Sequence, residues 1–464
     1  MALHEVSITM QHFTSGANRV LVLAAAILLV ACNRADKAAP ARSTDSTSTA
    51  SSAASCAANN GGLSLPEGFC ATIFADSLGH VRHLVVAGNG TLYANTWSGS
   101  YYSDGTTPAA PFLIALRDTN ADGRADVASR FGDWLASGGA GGTGIAIYHG
   151  ALYAESKDRI VRYAMDSGFV PKGAPETVVS GLPLTGDHPM HPFAIDSAGN
   201  LFVDLGSRTN SCQAKNRTLE SPGINPCTEL ETRGGIWRYD ANKTGQRFSP
   251  AERYATGIRN AVGIAFDPSG QLYSTQHGRD QLAENWPKLY TAQQGAELPA
   301  EELLKIQKGG NYGWPTCYFD STQKQLVLAP EYGGDGGKKV GECANRIEPA
   351  AYFPAHWAPD ALTFYDGSMF PEHYKSGAFI AFHGSWNRAP LPQEGYRVVF
   401  VPFMGGAPRG AWETFANGFA GSAQPQPTTA QHRPAGLAVA PDGSLYIGDD
   451  VGGRIWHVTY KGSK

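Results

Sequence analysis

A short apolar phrase that recurs six times constrains this chain more than any other feature. The phrase is an apolar run, a tight turn and a second apolar pair. It reads Leu84-Val-Val-Ala-Gly-Asn-Gly-Thr-Leu-Tyr93, Ile145-Ala-Ile-Tyr-His-Gly-Ala-Leu-Tyr153 and Phe193-Ala-Ile-Asp-Ser-Ala-Gly-Asn-Leu-Phe202. It returns as Ile264-Ala-Phe-Asp-Pro-Ser-Gly-Gln-Leu-Tyr273 and Leu437-Ala-Val-Ala-Pro-Asp-Gly-Ser-Leu-Tyr446, with a looser copy at Leu362-Thr-Phe-Tyr-Asp that closes at Ala378-Phe-Ile380. Each copy reads as a strand, a turn and a second strand. Copies spaced by roughly 50–100 residues fit radial blades, because such periods belong to propellers and solenoids. The expected fold is therefore all-β, a six-bladed β-propeller.

The chain has 464 residues, of which the first sixty or so look non-globular. The remainder can bury a large core as one domain. A net charge of -4 gives nucleic-acid binding no electrostatic support. The one helical stretch lies at about Pro299–Gln307, around Glu301-Glu-Leu-Leu-Lys305. Val20–Val30 is apolar but too short to span a bilayer. Arg19 precedes it and Leu29-Val-Ala-Cys32 follows, the pattern of a secretory signal ending in a lipobox. Residues 1–32 are thus expected to be a lipoprotein signal peptide, with translation from Met10 as a variant, and Cys32 the lipidated residue. Residues 33–60 are rich in Ala, Ser and Thr and read as a disordered tether. Residues 61–464 form the propeller. The chain would then be held at the cell envelope by lipid, at the outer membrane, facing the periplasm or the exterior. Six further cysteines fall in three local pairs, and an oxidising compartment favours Cys56–Cys70, Cys212–Cys227 and Cys317–Cys343. No C-x-x-C-H occurs, so no c-type haem is attached.

Polar residues recur ahead of the phrase. His188, Arg259 and Arg433 each lie 12 or 13 residues before the Leu that follows the turn. Equivalent positions in different blades should meet at one mouth of the central channel. Asp187-His188 then offers a general base, and Arg259 and Arg433 two fixed cations. Such a set suits removal of a proton while negative charge builds on a bound acceptor, or the anchoring of a polyanionic cofactor. Asn260 adjoins Arg259. His356-Trp357 and His383-Gly-Ser-Trp-Asn-Arg388 are polar and aromatic, and Trp357 or Trp386 could cover a flat cofactor or simply belong to the core. Gly309-Gly-Asn-Tyr-Gly-Trp-Pro315 reads as structural, its Trp314 packing on a blade. Asp118, Asn120, Asp122 and Asp126 have the spacing of the start of a calcium loop, but position 12 is Ser129 rather than Glu. They mark a possible structural calcium site or a plain polar turn. Gly139-Ala-Gly-Gly-Thr-Gly144 matches a dinucleotide fingerprint but runs into a strand rather than a helix, which argues against NAD.

Taken together, Gly181-Leu-Pro with Asp187-His188, Gly257-Ile-Arg-Asn260, Gln276-His-Gly278 and Lys308-Gly-Gly-Asn-Tyr-Gly-Trp-Pro315 resemble the glucose/sorbosone dehydrogenase family, the soluble quinoprotein sugar dehydrogenases. The resemblance covers roughly residues 63–460, and His383-Gly-Ser-Trp-Asn-Arg388 points to its sorbosone-type branch. It implies oxidation of an aldose or related sugar aldehyde by hydride transfer to pyrroloquinoline quinone (PQQ), with calcium as second cofactor. His188 would be the base, oriented by Asp187. Arg259, Asn260, His356 and Arg433 would contact the quinone, with Asn387 or Arg388 in place of the family's lysine. Backbone carbonyls of Gly278 and Arg279 would bind calcium, and electrons would pass to a separate quinone or cytochrome. The chain departs from the glucose-oxidising members at Gly139, where they carry a polar residue, and at Arg279, where they carry proline. Two other classes stay open: a calcium-dependent lactonase-type hydrolase, and a non-catalytic propeller that binds sugar or protein.

Overall fold

In the computed structural model residues 59–96, 111–132 and 142–462 are described. Cys32, Cys56, Gly139 and the tether lie outside them. The strands assemble into six blade sheets, each with four antiparallel strands, and in blade 2 the short segment Gln246–Arg247 adds a fifth, parallel strand at the outer edge. The innermost strand of each begins a sequence phrase: Val81–Val86, Ile145–Tyr148, Phe193–Ile195, Ile264–Phe266, Pro359–Phe364 and Pro434–Val439 open blades 1 to 6. The ring is closed between its ends. Phe69–Ala75, from the beginning of the described chain, pairs as the outermost strand of blade 6 with Ile455–Tyr460. The cores lie between adjacent blades, as in the cluster joining Tyr93 and Phe112 of blade 1 to Leu152 and Tyr163 of blade 2. The aromatic–aliphatic stacks that the apolar pairs supply are therefore inter-blade packing, the main burial in this fold.

In blades 1 to 4 the residue three positions after the Leu that follows the turn, on the second strand, explains why the blades keep their rotation. In blade 1 it is Asn95, whose Nδ2 donates to the Gly144 and Glu155 carbonyls of blade 2. In blade 2 it is Glu155, which accepts from the Thr143, Gly144 and His191 N–H groups, the last in blade 3. In blade 4 it is Thr275, which accepts from Gly263 N–H and donates to the Pro359 carbonyl of blade 5. Asp204 of blade 3 sits beside the Ala261 amide, and burial pushes its carboxyl well above the usual carboxylate range. Each side chain fixes where the next blade's inner strand enters, and so aims the loop before it.

The helix expected at Pro299–Gln307 is instead the strand Glu301–Lys305, third in blade 4. It is paired on both sides, with Leu272–Gln276 and with Ala351–Phe353. Two ladders and burial of four of its five residues override the helix preference of Glu, Leu and Lys. Short helices occur just upstream, Leu282–Asn285 and Ala292–Glu297, the second with a Thr291/Gln294 capping box. They belong to an insertion between the second and third strands of blade 4, and the hairpin Cys317–Asp320 and Gln325–Leu328 to another between its third and fourth. A further insertion, residues 206–234, interrupts blade 3. The disulfides Cys212–Cys227 and Cys317–Cys343 form as expected, the first in the blade 3 insertion and the second in the insertion that carries the blade 4 hairpin. Cys70 is also disulfide-bonded. The insertions are joined by Gly223 N–H to the Glu331 carbonyl and Glu220 N–H to the Asn285 carbonyl.

The channel axis is closed by one arginine. Arg82 of blade 1 is 2% exposed and pairs with Asp450 of blade 6 at 2.6 Å and Asp360 of blade 5 at 3.1 Å. Its guanidinium also touches Met190 Sδ, which precedes blade 3. Replacing it with methionine (R82M) leaves two buried carboxylates without their shared cation, which should cost about 3–5 kcal/mol in urea unfolding at neutral pH. In the parent, burial notwithstanding, Arg82 with His383 and His277 holds the Asp360 carboxyl low, and His383 with Arg82 holds that of Asp450 low; loss of Arg82 raises both. The deficit should therefore shrink between about pH 7 and pH 5, as the variant's carboxyls protonate. A deficit that stays constant with pH would contradict this account.

Candidate active site

Above Arg82 lies a cavity of about 600 Å³ at one mouth of the channel. It brings together Asp187, His188, Arg259, Asn260, Gly278, His356, Asn387 and Arg433, so the residues aligned before the repeated phrase do converge. Arg82, Arg217, His277, Asp280, Asp360 and Trp386 join them.

His188 is 8% exposed. Its Nδ1 lies 2.9 Å from both the Ser207 carbonyl and Ser207 Oγ. A carbonyl only accepts, and Ser207 Oγ already donates to the Thr209 carbonyl, so Nδ1 carries the proton. Nε2 keeps the lone pair, with no hydrogen bond among the described residues. Burial first, and the Arg259 charge second, hold the imidazole pKa well below 6.5, so the ring is neutral at neutral pH. Gly206 allows this approach, because a Cβ there would meet His188 Cβ at 2.6 Å. The expectation that Asp187 orients His188 is corrected. Asp187 turns to Arg217 Nε at 3.0 Å and to Asn216, and the blade 3 backbone does the orienting.

Asp280 is the hub of the opposite wall. Its carboxylate accepts from Arg259 and Arg217, each at 2.9 Å, and from Asn387 Nδ2 at 2.9 Å. Burial alone would raise its pKa, but the two guanidinium groups outweigh burial and hold the carboxyl well below the usual range. Asn210, fully buried, completes the hub. Its Oδ1 accepts from Arg259 and Asp280 N–H, and its Nδ2 donates to the Asp280 carbonyl. Arg259 Nη1 also donates to the Gly278 carbonyl at 3.0 Å. His356 donates from Nε2 to the Gly295 carbonyl and accepts at Nδ1 from Asn387. Arg433 donates to the His383 and Gly384 carbonyls from blade 6, holding the His383–Arg388 loop at the rim. Two buried amide oxygens of the lining, Asn260 Oδ1 and Asn387 Oδ1, have no hydrogen-bond partner. Unpartnered buried acceptors in a cavity call for a ligand that brings a donor or a cation.

Asp360, His383 and Asp450 bring possible ligand atoms within 4.8 Å of one another. Arg82 already neutralises both carboxylates, and His383 Nε2 bonds Asp450 at 2.7 Å. The group reads as an ion-pair floor. His277 lies 3.2 Å from Asp360, whose carboxylate outweighs burial and raises the imidazole pKa.

Several expected site residues fall elsewhere. Trp357 is buried against Phe382 and Trp412 with Arg397 over its ring, and Trp386, 51% exposed, is the tryptophan at the rim. The Arg279 side chain turns outward to a buried pair with Glu331. Arg388 crosses the wall, donating to the Ala355 and Ala296 carbonyls. Asp118, Asn120, Asp122 and Asp126 lie on a blade 1 loop away from the cavity. There Asp118 Oδ2 accepts from Gly123 N–H, Asn120 Oδ1 from Asp122 N–H, and Asp126 from Thr119. The loop is an Asx-type turn that satisfies its own backbone.

A sequence profile of the TrAA12-like family matches residues 142–461. The chain belongs to this family. An uncharacterised protein of Borreliella burgdorferi is 30% identical over 325 residues, covering 68% of this chain and 75% of that one. The pyrroloquinoline quinone-dependent pyranose dehydrogenase of Coprinopsis cinerea is 29% identical over 237 residues, 43% of this chain. That match spans 30% of the dehydrogenase's length. The holo PQQ domain of a Coprinopsis cinerea pyranose dehydrogenase superposes with a TM-score of 0.66 at 20% identity, covering 86% of this chain and 97% of that domain. A calcium structure of a Trichoderma reesei AA12 enzyme gives 0.67 at 20% identity, covering 86% and 97%. These structures share the fold.

Ser207, Asn210, Arg217 and Asp280 escaped sequence reasoning because they sit in or beside insertions, where no repeat gives a register. Arg82 and Asp360 were findable, being polar residues just inside the start of an otherwise apolar inner strand. Replacing Asp280 with asparagine removes the one carboxylate shared by Arg259 and Arg217. D280N should destabilise the protein by about 2–4 kcal/mol in thermal or urea unfolding, at the lower end because Asp280 and Arg217 are partly solvated. A variant as stable as its parent would show that the two guanidinium groups do not depend on Asp280.

Proposed function

We propose that the chain is a quinoprotein sugar dehydrogenase that oxidises an aldose or a sorbosone-like sugar aldehyde and passes the electrons to a separate acceptor. The observation that carries this reading is a neutral His188, its Nε2 lone pair unengaged, in a cavity ringed by Arg82, Arg217, Arg259 and Arg433. A relative over 43% of this chain is a PQQ-dependent pyranose dehydrogenase, which supports the same chemistry here. A hydrolase would want carboxylates arrayed around a central metal, whereas these carboxylates are occupied by arginine.

The donor set fits a flat, multiply anionic quinone. Arg259 and Arg433 would hold its carboxylate and quinone oxygens, the unpartnered Oδ1 atoms of Asn260 and Asn387 would bond its edge, His356 would position Asn387 there, and Trp386 would cover a face. The Gly278 carbonyl, with one lone pair on Arg259, has a second for calcium, and the Arg279 carbonyl would be its companion. When bound, PQQ supplies the hydride acceptor and calcium polarises it. The chain supplies the rest. His188 Nε2 takes the proton of the sugar hydroxyl, and the Ser207 carbonyl holds the imidazole in the tautomer that can accept it. The charge that appears on His188 is partly offset by the Asp280 carboxylate of the opposite wall, which acts on the same ring. Arg259, fixed by Asn210 and Asp280, presents a cation that needs no reorganisation as negative charge develops. We extend the proposal to the chain's placement: signal peptide over residues 1–32, lipid on Cys32, tether over 33–60 and catalytic propeller over 61–464, held at the envelope near its electron acceptor.

The deciding experiment adds PQQ, with and without calcium, to the purified protein and follows dye reduction over aldoses, sorbosone and simple aldehydes. Calcium-dependent turnover is expected, and H188Q should lower kcat by about 10²–10⁴-fold with cofactor affinity kept. Because His188 is held neutral, kcat/KM should stay level down to pH 6.5 and fall only at more acid pH. Absence of PQQ binding would overturn the reading. An acid limb above pH 6.5 would overturn the assignment of His188 as a pre-neutralised base.

A further inference from the structure

Arg388 was expected over the cofactor and lies instead on the far side of the wall. There it lines a second cavity of about 540 Å³. The wall is one residue thick. His356 and Asn387 face the catalytic cavity, while their chain neighbours Ala355 and Arg388 face the second one. Arg388 Nη1 donates to the Ala355 carbonyl at 2.9 Å and so ties the two halves of the wall together.

The second cavity has the two surfaces that a pyranose presents. One side is aromatic, formed by Trp412, Tyr352 and Phe353, with the Trp412 and Phe353 rings 6.1 Å apart. The other is polar, with Glu297, Glu394 and Arg388. Arg388 is 7% exposed, and its Nε and Nη1 are bonded to carbonyls. Among the described residues its Nη2 has no hydrogen bond, and the nearest carboxylate, Glu394, lies at 3.8 Å, beyond hydrogen-bond reach. A nearly buried guanidinium and a carboxylate that do not bond each other stand side by side as a donor and an acceptor, and the hydroxyls of a sugar can accept from the one and donate to the other. The C–H face of a sugar would meet the aromatic side. Two carboxylates against one guanidinium disfavour an acidic sugar or a phosphate, and a lipid chain would leave all three charges without partners.

We infer that this cavity is a saccharide subsite, which takes a neutral pyranose unit of an oligosaccharide. The inference rests on the sugar-dehydrogenase reading for its biological sense: the substrate class would extend from single sugars to short neutral chains. Its test does not rest on that reading. Binding of neutral tetraoses (cello-, xylo-, malto- and chito-series) and of tetragalacturonate is measured by calorimetry on the full-length protein without PQQ. At least one neutral tetraose should bind, and tetragalacturonate should not. W412A should weaken binding by about tenfold, the loss of one aromatic–sugar contact. E394Q, which keeps the shape of the cavity, should weaken it several-fold if W412A proves unstable. Failure of the parent to bind any neutral tetraose, or unchanged binding in W412A and E394Q, would overturn the subsite and leave the dehydrogenase proposal standing. Tetraose binding without dye reduction in the reconstituted protein would do the reverse.

Discussion

The structure depends on how six sheets that meet at an axis dispose of the charge placed there. A propeller channel is too narrow at its neck for free water to solvate isolated carboxylates, yet blades 5 and 6 each direct one inward. Arg82 resolves this by lying across the axis between Asp360 and Asp450. An ion pair this deep is not by itself a source of stability, since desolvation offsets much of the attraction. Its value is positional. The guanidinium can meet both carboxylates only when blades 1, 5 and 6 have their native rotation, so it fixes the closure made on the outside by pairing of the chain's two ends. It also divides the axis: below it the inner strands of the blades line the rest of the channel, and above it lies the cavity of the candidate site.

That division explains which parts were legible in the sequence. The repeated phrase reports a strand, a turn and an inter-blade aromatic, all set locally by turn chemistry and the two-residue period, and all six copies became blades. His188, Arg259 and Arg433 were legible because the phrase fixes their register. The strand Glu301–Lys305 was not, because its residues prefer a helix and only two neighbouring ladders, formed with segments some thirty to fifty residues away, hold it extended. Trp357 and Arg388 were misplaced for a related reason. Each adjoins a residue that does line the site, but both lie in irregular loops outside the strands, with left-handed backbone at His356 and Ala358, so no strand alternation or repeat register tells which neighbour faces the cavity.

The insertions in blades 3 and 4 carry what the repeat does not. Two of them hold a disulfide, and together they enclose Asn210, a single amide that receives Arg259, braces Asp280 from both its N–H and its carbonyl, and accepts from Trp314 Nε1. The expectation that Trp314 is structural is met in a particular way: it supports the residue that supports the arginine. The Arg279–Glu331 pair, with Trp286 bonded to the same carboxylate, locks the Gly278–Asp280 turn to the blade 4 insertion that carries the hairpin. The propeller thus provides a rigid rim, and the insertions convert one arc of that rim into a preorganised wall.

Preorganisation has an electrostatic consequence for the base. A histidine desolvated by burial and facing the Arg259 guanidinium is a poor place for a proton, and its pKa falls. A lower pKa weakens a base thermodynamically, so the arrangement looks self-defeating. Two features reverse this. At neutral pH the ring is entirely in the form that can accept, and its acceptor nitrogen is the one that faces the cavity. An anionic ligand bound among the arginines would also offset part of their field at His188, raising its affinity for a proton once the site is loaded. The empty site would hold the base unprotonated, and loading would restore its strength. The same cations that depress the imidazole in the free protein are those best placed to receive the negative charge of the reaction, which links binding and proton removal through one set of side chains.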